Sequence, residues 1–327
     1  MNRQLFEKLA EEDRLSPSSM EKIRAVTAST LFSVHWELKT ILYLGVLLLS
    51  GGLGILIYKN IDTIGHQAIL ALIAVLCAGC FYYSNRHKLP FSRQKVPAAN
   101  AFADYTVLLG CLLFITFITY LQAQYNVFGT RYGSATFIPM LVLFFSAYYF
   151  DHLGVLSMAI TNFAAWAGIA ITPFEILSRN DFSSDRIIYT GLAIGVVLIV
   201  AGILSTAKDF KQHFSFAYHN FGTHILLIAC LSAMFVLPDF MLWFIVLGAC
   251  CAGIYYTAMQ ARSFYFVVIV VLYAYTGLSY VVIRGIDASF RDLGGFYMLL
   301  FYFIGSGIAM ARLLIVLNKK LKKHDSI

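Results

Sequence analysis

Ten long apolar runs occupy most of this chain, and none has an Asp, Glu, Lys or Arg at its centre. They fall near 39–58, 66–84, 102–124, 134–150, 152–172, 187–205, 220–237, 239–259, 263–283 and 295–316. Each is roughly 17–23 residues long, which at about 1.5 Å per residue spans a hydrocarbon core of about 30 Å as a helix. Lipid offers no partner to a bare backbone amide, so single runs of this length read as helices that satisfy their own hydrogen bonds. Composition removes the water-soluble alternative. Hydrophobic residues make up 60% of the chain and charged residues 13%, against about 25% charged in a soluble domain. The fold class is therefore all-α: a polytopic transmembrane helix bundle of about ten spans, preceded by a short N-terminal cytoplasmic helical pair.

Orientation follows from the basic residues. With the N-terminus inside, the outside segments hold only Lys59, Arg131, Arg179, Arg186, Arg284 and Arg291, leaving 18 of the 24 Lys and Arg inside. That is the direction the positive-inside rule requires. An odd number of spans would put the basic C-terminal tail outside, so the count also favours an even number. The net charge of +7 then reads as topology and contact with anionic lipid headgroups, not as affinity for nucleic acid. Tyr82-Tyr83, Tyr148-Tyr149 and Tyr255-Tyr256 end three spans on the inside, where an interfacial belt is expected.

Three segments result: 1–37, a cytoplasmic amphipathic helical segment; 38–317, the transmembrane bundle; and 318–327, a basic cytoplasmic tail. In the first, Leu5, Phe6 and Leu9 lie a turn apart, Ser16-Pro17 interrupts, and Ser18-x-x-Glu21 forms a capping box. Met20, Ile23, Thr27, Leu31 and Val34 then follow helical spacing. The pattern makes this segment a candidate docking module for a protein partner. No cleavable leader pattern is visible, so the first span is expected to act as the membrane signal.

Residues 5–84 resemble the start of the DUF2157 family of membrane proteins. The residues that carry the resemblance are LFEKLAEEDRLSPSSMEKI, then the Gly-rich LYLGVLLLSGGLGILIYKN, then IDTIGHQAIL. Where the family commonly has Trp after the Asn, this chain has Asn60-Ile61. The resemblance implies a polytopic protein of the bacterial cytoplasmic membrane and brings no assigned activity or functional residue.

Ionisable residues near the spans have structural explanations. Asp104 starts the third span, Asp151 is placed to N-cap the fifth, Arg312 can snorkel, and Glu175 follows Pro173 in an outside loop. Only Asp151-His152 separates the fourth and fifth spans, which demands a very tight turn. Arg284, Asp287, Arg291 and Asp292 read as a self-paired solvated loop. At mid-depth the polar residues are neutral: Thr161-Asn162 one turn before Trp166, and Tyr273, Tyr275 and Thr276 in the ninth span. Asn162, Trp166 and Tyr275 are the candidate substrate or interhelical contacts, since a buried amide needs a partner. Small residues four apart (Ser50/Gly54, Gly248/Ala252, Ala249/Gly253, Gly305/Ala309) are candidate close helix contacts.

No catalytic, cofactor or metal site is expected. His213, His219 and His224 cluster near the 206–219 connection without His-x-x-x-His spacing, and Cys77-x-x-Cys80 lies inside an apolar run. There is no phosphate loop and no Gly-x-Ser-x-Gly elbow. The leading reading is a non-enzymatic scaffold, sensor or assembly protein. A drug/metabolite-type exporter of five plus five inverted spans is the alternative, and a membrane-embedded enzyme the second.

Overall fold

The computed structural model describes residues 35–97, 101–129, 132–171, 184–289 and 293–323. Residues 1–34 of the expected N-terminal segment 1–37, and with them Glu175, Arg291 and Asp292, lie outside the described residues. Every regular element among the described residues is helical: α1 (His35–Ile64), α2 (His66–His87), α3 (Ala101–Tyr125), α4 (Tyr132–Phe150), α5 (Leu153–Ile171), α6 (Asp185–Ala207), a 3-10 turn (Gln212–Phe214), α7 (Ser215–Val236), α8 (Phe240–Gln260), α9 (Phe264–Ser289) and α10 (Leu293–Lys323). Nine of these helices are long and apolar enough to cross a membrane, and α5 supplies a shorter apolar segment, Leu153–Gly168. The chain is a multi-pass membrane protein. It divides after Leu53 into two units, and α2 to α10 lie within the second.

From α2 onward, helices adjacent in sequence are adjacent in space. The tightest pairs are α2 with α3, α4 with α5, and α6 with α7. In lipid no hydrophobic force drives helices together, so close backbone approach and interhelical hydrogen bonds must do so. The closest approach is α6 against α7. A Cβ on Gly195 would stand 2.8 Å from the Leu226 backbone, and one on Gly222 would stand 3.0 Å from the Ile199 amide nitrogen and the Gly195 carbonyl. Gly191 and Gly195 are four apart on α6, so one face offers bare backbone to α7. The small residues singled out by spacing lie elsewhere: a Cβ on Gly248, Gly253 or Gly305 would meet nothing within 4 Å. Small-residue spacing permits close approach, but which face meets a neighbour is set by the rest of the packing.

Tyrosines stitch the remaining seams. Tyr275 bonds Ser306 at 3.0 Å and Ser279 bonds Tyr302 at 3.0 Å, joining α9 to α10. Tyr273 bonds His224 Nδ1 at 3.0 Å, joining α9 to α7, and the Tyr265 hydroxyl donates to Asn220 at 2.7 Å. Helix α9 runs beyond the expected span to Ser289, so Arg284 and Asp287 are helical. Arg284 Nε donates to the Tyr280 hydroxyl one turn earlier, at 3.0 Å, instead of lying in a loop.

Gly195→Ala is expected to force α6 and α7 apart and to destabilise the protein by about 1–3 kcal/mol, the usual cost of overpacking. Gly253→Ala, with open space around it, is expected to leave stability unchanged or slightly raised. Thermal unfolding of the two purified variants in detergent checks the contrast.

Candidate functional site

The connections α2–α3, α4–α5 and α6–α7 meet at one end of the bundle, and their meeting point is polar and buried. The α4–α5 turn is as tight as its sequence demands. The His152 amide reaches back to the Ala147 carbonyl at 3.0 Å, and Asp151 takes a left-handed conformation, φ 58°. Such a φ is uncommon for a side chain, though Asp tolerates it better than most.

Asp151 does not cap α5, contrary to the sequence expectation. His152 does so, with its Nδ1 accepting from the Val155 amide at 3.1 Å. Gly154 leaves room for that ring, since a Cβ there would come within 2.8 Å of its Cε1. The left-handed turn aims Asp151 the other way, into the protein. Its Oδ2 accepts from Lys211 Nζ at 3.0 Å and from the Val96 amide at 2.5 Å, and its Oδ1 from His213 Nε2 at 2.6 Å. The Asp151 side chain is 3% exposed and that of Lys211 1%.

Lys211 is held from several directions. It too is left-handed, φ 51°. Its amide donates to the Arg93 carbonyl at 2.7 Å, its Nζ also donates to the Gln94 carbonyl at 3.2 Å, and its carbonyl accepts from Ser205 Oγ at 3.1 Å. The ammonium lies 5.0 Å from the Phe91 ring centre. The extended segment 88–97 is thereby fastened to both turns. A small cavity of about 40 Å³ borders Ser84, Asp104, Asp151 and Lys211, room for a bridging water or two.

Aromatic residues wall the junction. Tyr148 bonds Tyr218 at 2.8 Å, stacks on Phe210 and meets Phe214 edge-on. The Tyr149 hydroxyl donates to Asn85 at 2.9 Å, and Lys88 Nζ lies 3.3 Å from its ring centre. Of the tyrosines expected in an interfacial belt, Tyr82 and Tyr256 are exposed, whereas Tyr148 faces inward.

The mid-depth residues picked from sequence are placed in separate surroundings. Asn162 and Trp166 lie on α5. Trp166 packs against Phe137 of α4, ring centres 5.3 Å apart, and Asn162 Oδ1 is buried without a hydrogen-bond partner among the described residues. Tyr275 lies on α9, bonded to Ser306 of α10. The junction residues Lys211 and His213 were not legible as a site, because nothing in their spacing links them to Asp151.

Residues 7–156 match the family described as predicted membrane protein (DUF2157). No curated protein and no solved structure matches the chain. The DUF2157 match takes in the α4–α5 turn with Asp151 and His152 and stops short of Lys211 and His213. The junction thus ties the matched N-terminal portion to the portion beyond it.

Two predictions follow from this geometry. Removing one member of a buried ion pair strands the other, typically at about 3–5 kcal/mol, whereas replacing both costs far less. Asp151→Asn and Lys211→Met are each expected to lower thermal stability strongly, and the double variant to lose less than their sum. Unfolding midpoints of the four proteins in detergent supply the cycle.

The second concerns acid. Burial pushes the His152 imidazole below its usual value of 6.5, against the opposing pull of the Asp104 carboxylate, 3.6 Å away. The fold uses the neutral ring, because a protonated Nδ1 cannot accept from Val155. The unfolded chain takes up this proton near pH 6.5 and the folded chain resists it. The stability is therefore complete above that pH and declines as pH falls through the folded value. Wild-type melting temperature is expected to fall between about pH 7 and pH 5. His152→Asn, which can cap without titrating, should flatten that slope, and an unchanged slope would assign the acid sensitivity elsewhere.

Proposed function

We propose that this chain is a non-enzymatic protein of the bacterial cytoplasmic membrane, with both termini in the cytoplasm, acting as a scaffold, sensor or assembly partner. The observation that carries the reading is the state of the Asp151 carboxylate. Both oxygens are engaged, Oδ2 by Lys211 and the Val96 amide and Oδ1 by His213. A general acid, base or nucleophile needs a proton or lone pair free to move. The groups gathered at this end of the bundle instead hold one another and the backbone, which makes a rigid platform.

The orientation rests on charge. The junction end carries Arg86, Lys88, Arg93, Lys95, Lys208 and Arg262 on its connections and helix ends, the side that the positive-inside rule places in the cytoplasm and where anionic headgroups would meet it. The same charge rule assigns residues 1–37 to the cytoplasm, where the spacing of Leu5, Phe6 and Leu9 offers an apolar stripe for a protein partner.

A photoreactive amino acid at Phe6 in the full-length protein, activated in living cells, tests the reading. A discrete adduct with a cytoplasmic protein, lost on Leu9→Asp, is the expected result. Labelling of lipid alone would overturn it.

A further inference from the structure

A groove of about 430 Å³ opens at the junction end of the bundle, between the C-terminal half of α6, the N-terminal half of α7, the end of α8 and the start of α9. That volume lies within the range of small-molecule sites, about 300–1,000 Å³. Its apolar walls are Ile199, Ile203, Phe216, Ile254 and Phe266. Ile203 and Phe216 are 52% and 56% exposed, so the mouth is framed by side chains that face lipid in a membrane.

One polar ladder runs down this apolar groove. Ser215, His219 and Thr223 recur every four residues on α7 and share one face. The outer rung is internally satisfied: Ser215 Oγ donates to the Gly202 carbonyl at 3.0 Å, and Thr206 Oγ1 donates to Ser215 Oγ at 2.9 Å. The two inner rungs are not. His219 Nδ1 lies 2.8 Å from the Ser215 carbonyl. A carbonyl only accepts, so Nδ1 carries the proton and Nε2 keeps a lone pair. Thr223 is 2% exposed and lines the groove, and its hydroxyl has no hydrogen-bond partner among the described residues. Gly202 is what admits the imidazole, since a Cβ there would collide with the His219 ring.

The lining contains no Asp, Glu, Lys or Arg. Lys208 and Arg262 stand at this end of the bundle but do not line the groove, so a carboxylate or phosphate head seated against Thr223 would have no counter-charge beside it, which is costly in this setting. An acceptor nitrogen and a hydroxyl one helical turn apart suit a group that both donates and accepts. We propose that the groove binds a neutral long-chain lipid with a free hydroxyl, of the fatty-alcohol or acylglycerol class, drawn sideways from the bilayer. The hydroxyl donates to His219 Nε2 and accepts from Thr223, and the chain lies along Ile199, Ile203 and Phe266. This site is independent of the scaffold reading, and either can fail without the other.

The test uses full-length protein in phosphatidylcholine nanodiscs and a hexadecanol-length alcohol bearing a diazirine. Adducts are expected within residues 199–223, displaced by excess unlabelled long-chain alcohol or monoacylglycerol and not by palmitate. Thr223→Val, near-isosteric, should weaken displacement by about fivefold, the loss of one net hydrogen bond. Ile203→Trp, at an exposed position on the mouth, should block labelling without disturbing the fold. Adducts spread equally over the lipid-facing helices and indifferent to both variants would mean surface lipid only and would overturn the proposal, as would equal displacement by palmitate.

Discussion

The ion pair between Asp151 and Lys211 is the interaction on which this end of the molecule depends. Each charge is almost wholly withdrawn from solvent, and either one alone would be very costly to bury. They are tolerable together because each also has further hydrogen-bond partners: His213 and the Val96 amide for Asp151, and the Gln94 carbonyl for Lys211. The pair also dictates backbone. Both residues adopt left-handed conformations in connections between helices, which aims their side chains at one another from distant turns.

The rest of the bundle is held by weaker means. Interhelical hydrogen bonds in membranes average about 0.6 kcal/mol each, so the tyrosine contacts of α7, α9 and α10 act as a set. The α6–α7 seam works differently, through Gly191, Gly195 and Gly222 bringing backbones together. That seam fixes where α7 presents Ser215, His219 and Thr223, just as the junction fixes the connection that starts α7. The groove therefore lies between the two strongest constraints in the second half of the chain.

Much of the architecture could be read from the linear sequence. The expected spans coincide with helices because roughly twenty apolar residues in succession leave the backbone no other solution in lipid. The tight Asp151-His152 turn was legible for the same reason, as two long helices with two residues between them. The role of Asp151 was not. Asp before a helix reads as a cap, yet His152 took the cap and freed Asp151 for Lys211. Lys211 itself read as one more basic residue on the inside, indistinguishable by composition from its exposed neighbours. In the groove, the four-residue ladder from Ser215 through His219 to Thr223 is present in the sequence but does not stand out there. Its meaning depends on which face of α7 is turned away from lipid.

Sequence by itself determined that this is a multi-pass helical membrane protein, where its helices lie and how few charges it can keep at mid-depth. These follow from local composition acting against a uniform solvent, and they need no knowledge of neighbours. Only the tertiary structure decided that Asp151, Lys211 and His213 form one buried junction. It alone decided that Gly195 and not Gly253 is a point of close contact, and that Thr223 borders a cavity. Those properties belong to pairs of residues far apart in the chain, and side-chain type fixes what such a pair can do only after packing has brought it together.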